Sequence, residues 1–339
     1  MGAHVNLKGW IPIRVVWKEG RPMIDWSLFG TKRFTDPFFD LTVERHLLHP
    51  FHSVFRRQTP IEVLGDWYAE SRGVTPTGFI FHQSRSGSTL AGQMLAALEQ
   101  NIVLSEPMPV DSILRASFRD PSISEEKRAE WLRWMVSALG QRRVGPEQHL
   151  YIKFDCWSLA ELPVIRRAFP QTPWIFLYRN PVEILVSQIE QPASWTFPGV
   201  VHPAAFRLAA ADMLELPHAE YCARVLARTG ELALAYGRQE HGRLVNYEEL
   251  PTAVWTTLPE YFGAHYSSAD LERMWVAAGC NAKSPRLTFA SDSQGKQERA
   301  SEATWELARK WLLPVYNELE AMRSARAADL VHARSQRNM

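Results

Sequence analysis

The chain has 339 residues, 46% of them hydrophobic, enough to bury a large core in one large domain with an appendage or in two domains. Its formal net charge of +1 provides no global basic field, which excludes nucleic acid and heparin-like polyanions as expected partners. No uninterrupted apolar run is long enough to span a membrane, and the start MGAHVNLKGW lacks the charged lead and long apolar stretch of a signal peptide, so a cytoplasmic location is expected. Cys156, Cys222 and Cys280 are too dispersed for a disulfide framework or a zinc site and read as buried thiols.

In chain order, VNLKGWIPIRVVWKEGRPMIDW alternates like two strands about a KEGRP turn, and TDPFFDLTVERHLLHPF reads as a capped helix. These first 75 residues carry no assignable chemistry; they read as a cap on the core, with lining of an acceptor pocket as the sharper alternative. Residues 79–95, FIFHQSRSGSTLAGQML, then give a buried strand, a tight polar turn and a helix. Gly87 lets backbone approach a ligand, Ser88 and Thr89 can cap the helix, and the N–H groups at its start, with the Arg85 guanidinium, suit a phosphate or sulfate. This is not a Walker ATPase loop: Ser88 stands where that loop needs lysine, and His82 where it begins with glycine.

A strand at 101–104, a helix at 109–117 and a helix at 124–139 follow. Ser124 is the expected N-cap of the last, with Trp131, Trp134, Met135 and Leu139 on its apolar side. Strands at 149–154, 174–178 and 243–246 alternate with helices, which implies an α/β fold with a mostly parallel sheet and helices on both faces. Residues 174–190, WIFLYRNPVEILVSQIE, repeat the design of a strand ending in a cation: Arg179 closes the strand, Asn180 can cap, Pro181 suits the first helical turn, and Ser187 lies eight residues beyond Arg179. Two such strand ends suit a ligand with two separate anionic groups. The proline-punctuated residues 191–203 read as a loop over the site, with Trp195, Phe197 and His202 available to an acceptor. The tail after Arg323 is polar and expected to fray.

These runs together resemble the sulfotransferases that use 3′-phosphoadenosine 5′-phosphosulfate (PAPS). SRSGSTL resembles the 5′-phosphosulfate loop in its arginine-bearing form, YRNPVEILVS the 3′-phosphate motif, and LVNYEEL an element near the adenosine. The resemblance spans about residues 78–319 and implies a three-layer P-loop-like fold: a cap at 1–75, a catalytic domain at 76–323 and a tail at 324–339. It also implies that Ser84, Arg85, Ser86, Gly87, Ser88 and Thr89 hold the 5′ anion, that Arg179 and Ser187 hold the 3′-phosphate, and that Tyr247 contacts adenosine, with a buried core tyrosine as the alternative. Leu90 replaces a tryptophan that the cytosolic members place near adenine, so another aromatic must supply that contact. Lys296 resembles a late phosphate-contacting element faintly.

Catalysis implied by the resemblance needs no metal. Sulfuryl passes from PAPS to a hydroxyl or amine of a small or hydrophobic acceptor and leaves adenosine 3′,5′-bisphosphate (PAP). Arg85 is the first cation and Lys153 the second, unless Lys153 is a solvated strand-end residue. Glu106 is the candidate base, unless it merely pairs with a neighbouring cation; Asp155 and His82 are the substitutes, His82 with a structural reading beside it. A kinase-like enzyme using ATP and an inactive nucleotide-binding scaffold are the alternatives.

Overall fold

The computed structural model describes residues 6–209, 213–238, 242–281, 284–288 and 293–337, with side chains outside 280–294 and 327–337. The chain forms two compact units that interleave along the sequence: 1–80, 89–173 and 251–289 make the first, and 81–88, 174–250 and 290–339 the second.

In the first unit, β1 (Trp10–Lys18) and β2 (Arg21–Leu28) pair antiparallel about a two-residue turn. Glu19 and Gly20 both have positive φ there, which matches the turn's twist to that of the strands. Alternation buries Ile11 and Ile13 on one strand and Ile24 and Trp26 on the other. Helices α1 (Phe39–Leu47) and α2 (Pro50–Val54) lead to β3 (Arg56–Pro60), which adds to the β2 edge; Trp26 Nε1 donates to Thr59 Oγ1 across that pair at 2.9 Å. The α1 cap differs from expectation. Its N-cap residue is Phe38, whose side chain makes no cap bond, and Asp36 instead accepts from Thr42 Oγ1 at 2.8 Å and pairs with Arg45.

After α3 (Glu62–Glu70) come β4 (Pro76–His82), α4 (Ser88–Ala96), β5 (Asn101–Ser105), α5 (Met108–Leu114), α6 (Ala116–Arg119), α7 (Glu125–Leu139), β6 (His149–Lys153) and α8 (Leu162–Ala168). Ser124 caps α7 by accepting from Lys127 N at 3.2 Å, and Trp131, Met135 and Leu139 are buried. Trp134 lies along α3, where a Cβ on Gly65 would stand 3.0 Å from the indole.

The second unit takes the last residues of β4 and the first of α4, then β7 (Trp174–Tyr178), α9 (Pro181–Glu190), α10 (His218–Gly237), β8 (Gly242–Asn246) and a long C-terminal helix, Leu313–Arg337. Every residue of β7 is buried. Asn180 caps α9 by accepting from Val182 N at 3.0 Å, and a Cβ on Gly230 of α10 would stand 2.6 Å from Val315 of the C-terminal helix. Strands β4 to β8 form a five-stranded sheet in the order β5-β6-β4-β7-β8, parallel at β4/β6, β5/β6 and β7/β8. The α/β class with a mostly parallel sheet is therefore as expected. Strand order reverses at β4, whose carboxyl end is the place where such sheets receive ligands.

Candidate functional site

The second unit builds the polar turn after β4. Ser86 Oγ donates to Gln83 O at 2.7 Å, and Arg85 and Gly87 on either side of it have φ of 66° and 86°. Two left-handed residues around a pinned serine reverse the chain directly into α4. Glycine adopts this conformation freely; arginine does so at a cost on the order of 1 kcal/mol. Arg85 Nη2 donates to Gln191 O at 2.7 Å. The fully buried Gln188 donates to Ser84 Oγ at 2.8 Å and accepts from Ala193 N at 3.2 Å, so the end of α9 braces the turn. His82 is buried with Nδ1 3.0 Å from Gln83 O, a hydrogen-bonded strand-end position. Ser88 is buried and begins α4, and Thr89 follows it.

Arg179 closes β7 and is 5% exposed. Its Nε donates to Glu183 Oε2 at 2.5 Å, and Glu183 also accepts from Gln297 Nε2 at 2.7 Å. The guanidinium lies 4.1 Å from the Tyr247 ring centroid. The same ring covers the turn: a Cβ on Gly87 would stand 2.8 Å from Tyr247 Cδ2 and from Leu250 Cδ1. Tyr247 is held by a reciprocal cap after β8, in which Asn246 Oδ1 accepts from Glu248 N at 3.0 Å and Glu249 Oε1 accepts from Asn246 N at 2.9 Å. The three runs singled out in the sequence thus meet at Tyr247.

Beside it is a cavity of about 260 Å³ lined by Arg179, Asn180, Glu183, Asn246, Tyr247, Glu248 and Gln297. Its cation and amides fit an anion, whereas Glu183 opposes one and already engages Arg179. Ser187 is buried on α9, about 9 Å along the helix axis from Pro181 at its start, and is outside this lining.

The first unit holds a separate charged group where β5 and β6 end. Ser105 and Lys153 are partners in the parallel register, and Glu106 N donates to Lys153 O at 2.6 Å. Glu106 has φ of 54°. Lys153 is fully buried, its Nζ 2.5 Å from Glu106 Oε1 and 4.8 Å from the Phe38 ring centroid. A solvated strand-end lysine is therefore ruled out, and a lysine this deep without its carboxylate would be strongly disfavoured.

Burial first, then Asp111 and Glu106, pushes the Asp155 carboxyl well above the usual range. Burial also raises Asp111, against the opposing pull of Arg115 and of Trp157 Nε1, which donates to it at 2.7 Å. Asp40 of α1 is raised to about 6, by burial and then by Glu44 and Glu106. The ion pair thus lies among carboxyls that favour the protonated form.

Burial raises the thiols of Cys156 and Cys222, in keeping with inert cysteines; the side chain of Cys280 lies outside the described residues. Trp195 is buried, whereas Phe197 and His202 are exposed. Lys296 is buried on the helix Ser293–Arg299. Among the described residues there is no group of three or more histidine, cysteine, aspartate or glutamate side chains suited to a metal ion, and no helix long and apolar enough to cross a membrane. Sequence reasoning did not single out Glu183, Gln188 or Asp111. Glu183 and Asp111 had a signal, their i,i+4 spacing from Arg179 and Arg115; the contact of Gln188 with Ser84 joins distant chain segments.

No protein-family model and no curated protein matches the sequence. Among solved structures, the chain is similar to the sulfotransferase domain from the curacin biosynthetic pathway at 16% identity and a TM-score of 0.41, covering 76% of this chain and 99% of that one. It is similar to a sulfotransferase from Alicyclobacillus acidocaldarius at 14% and 0.42, covering 74% and 96%. A sulfotransferase from Mycobacterium avium is similar at 14% and 0.46, covering 80% and 81%.

Proposed function

We propose that the chain is a sulfotransferase that takes a sulfuryl group from PAPS and gives it to a hydroxyl or amine of a small or hydrophobic acceptor. The observation that carries this reading is the meeting of the SRSGST turn, Arg179 and the YEEL element at the Tyr247 ring. In this reading the turn residues 84–89 take the 5′ anion, Arg179 the 3′-phosphate, and Tyr247 the adenosine. The bond between sulfur and the bridging oxygen breaks as the acceptor attacks in line, and the departing oxygen keeps the electron pair. Arg85 and Lys153 stabilise that charge. The acceptor proton goes to a carboxylate, which must be ionised to receive it. Asp155, pushed up by burial, is suited to donate a hydrogen bond instead, which leaves Glu106 as the base.

Calorimetry with PAP and with ATP tests this. PAP is expected to bind in preference; preference for ATP would overturn the reading in favour of a kinase-like enzyme. Arg179→Ala is expected to weaken PAP binding by about 2–3 kcal/mol through loss of a charge-assisted contact. Glu183→Gln, which frees Arg179 from a competing carboxylate, is expected to tighten it. If both substitutions leave affinity unchanged, Arg179 is outside the site.

A further inference from the structure

The first unit carries an apolar ridge that the proposed transfer chemistry does not use. Leu48, Phe51, Val54 and Phe55 are 81%, 43%, 76% and 57% exposed, four large apolar side chains within eight residues. Phe51, Val54 and Phe55 share one side of the short helix α2 and its end, where the two phenyl rings stack with centroids 4.6 Å apart. Behind them His46 stacks on His52 at 3.8 Å, and burial followed by His52 holds His46 down at about 4, so this support is an uncharged aromatic platform at neutral pH. From residue 45 to residue 61 the sequence has three arginines, three histidines and no acidic residue, against a net charge of +1 for the whole chain. Arg56 and Arg57 are exposed immediately beside Phe55. Arg45 is paired with Asp36, and Arg57 is tethered over the Trp10 ring with its Nη1 donating to Asn6 O at 2.9 Å, so Arg56 leads the cationic rim with Arg57 held beside it.

We infer that the ridge of Leu48, Phe51, Val54 and Phe55, with Arg56 and Arg57 at its rim, docks this protein peripherally on an anionic lipid surface. Charge selects that occupant. Exposed phenyl and aliphatic side chains enter the interfacial region of a bilayer while adjacent arginines stay at the level of anionic headgroups. A second copy of the chain, seated on the same patch by a twofold axis, would bring the two arginine rims together, and like charges there oppose pairing. The ridge shares no residue with those proposed for sulfuryl transfer.

The test is co-sedimentation of the full chain with vesicles of phosphatidylcholine alone and of phosphatidylcholine mixed with phosphatidylglycerol, alongside sedimentation velocity without lipid. Binding is expected to the mixed vesicles, to weaken with added salt, and to fall about fivefold in Arg56→Ser. In the double variant Phe51→Ser, Phe55→Ser, it should be lost with the thermal melt preserved, because both rings are exposed. Equal partition onto both vesicle types, or none, overturns the inference. Self-association that the double variant abolishes, without vesicle binding, assigns the ridge to a second copy and overturns it as well.

Discussion

Arg85 and Glu106 share a property that composition and spacing do not reveal: each is a non-glycine residue with left-handed backbone, φ 66° and 54°. Each conformation is opposed by sterics, so each side chain is aimed at an energetic cost that its surroundings must offset. For Arg85 the terms are close in size. Glycine would remove the left-handed penalty, about 1 kcal/mol, and lose the bond to Gln191 O, also about 1 kcal/mol. Arg85→Gly is therefore expected to shift unfolding stability by no more than about 1 kcal/mol in a urea melt while lowering the proposed sulfuryl transfer about 100-fold or more. Full transfer by a folded variant would remove Arg85 from the chemistry. Residue identities at this site were legible where a motif names them, as for Gly87 and Arg179. Their partners were less so: Gln188 braces Ser84 from 104 positions away, and local periodicity carries no record of such a contact.

Among the elements, α1 sets two electrostatic terms against each other. Asp40 in its first turn is favoured by the helix dipole, yet burial and then Glu44 and Glu106 raise its carboxyl from 3.8 to about 6. A raised acid contributes most below its ordinary value, near 4, and that contribution is lost as pH rises through about 6. Asp40→Asn is thus expected to match the parent near pH 4 and to be more stable at pH 8, by about 1–2 kcal/mol after discounting a shift of about two units for partial exposure. Equal effects at both pH values would discard this account.

The strands of the parallel sheet were legible where both faces are covered and the residues run apolar without interruption, as in Phe79, Ile80 and Phe81 of β4 and throughout β7. RRQTP gave no such signal, since β3 exposes four of its five residues and is recruited by pairing with β2. Helix α9 was legible through its cap, because Asn-Pro fixes the entry whatever the packing.

For the whole molecule the governing fact is interleaving: each unit draws on three stretches of chain. A strand-and-helix reading recovers the elements but not their allegiance, because allegiance is decided by contacts between distant segments. A chain ending at Phe289 retains every stretch of the first unit and loses the last stretch of the second. That loss removes Gln297 from the cavity and from Glu183, and removes the helix Leu313–Arg337, whose Glu320 accepts from Tyr178 Oη. The shortened chain is expected to lose PAP binding in calorimetry; retention of full affinity would show that the second unit forms without its final stretch.

The bond between Tyr178 and Glu320 also sets a schedule. At about 5–20 residues per second, Tyr178 leaves the ribosome roughly 7–30 s before the glutamate that completes its environment. Until then the Tyr178 hydroxyl at the end of β7 lacks the carboxylate it donates to, so that end of the strand is the last part of it to be completed.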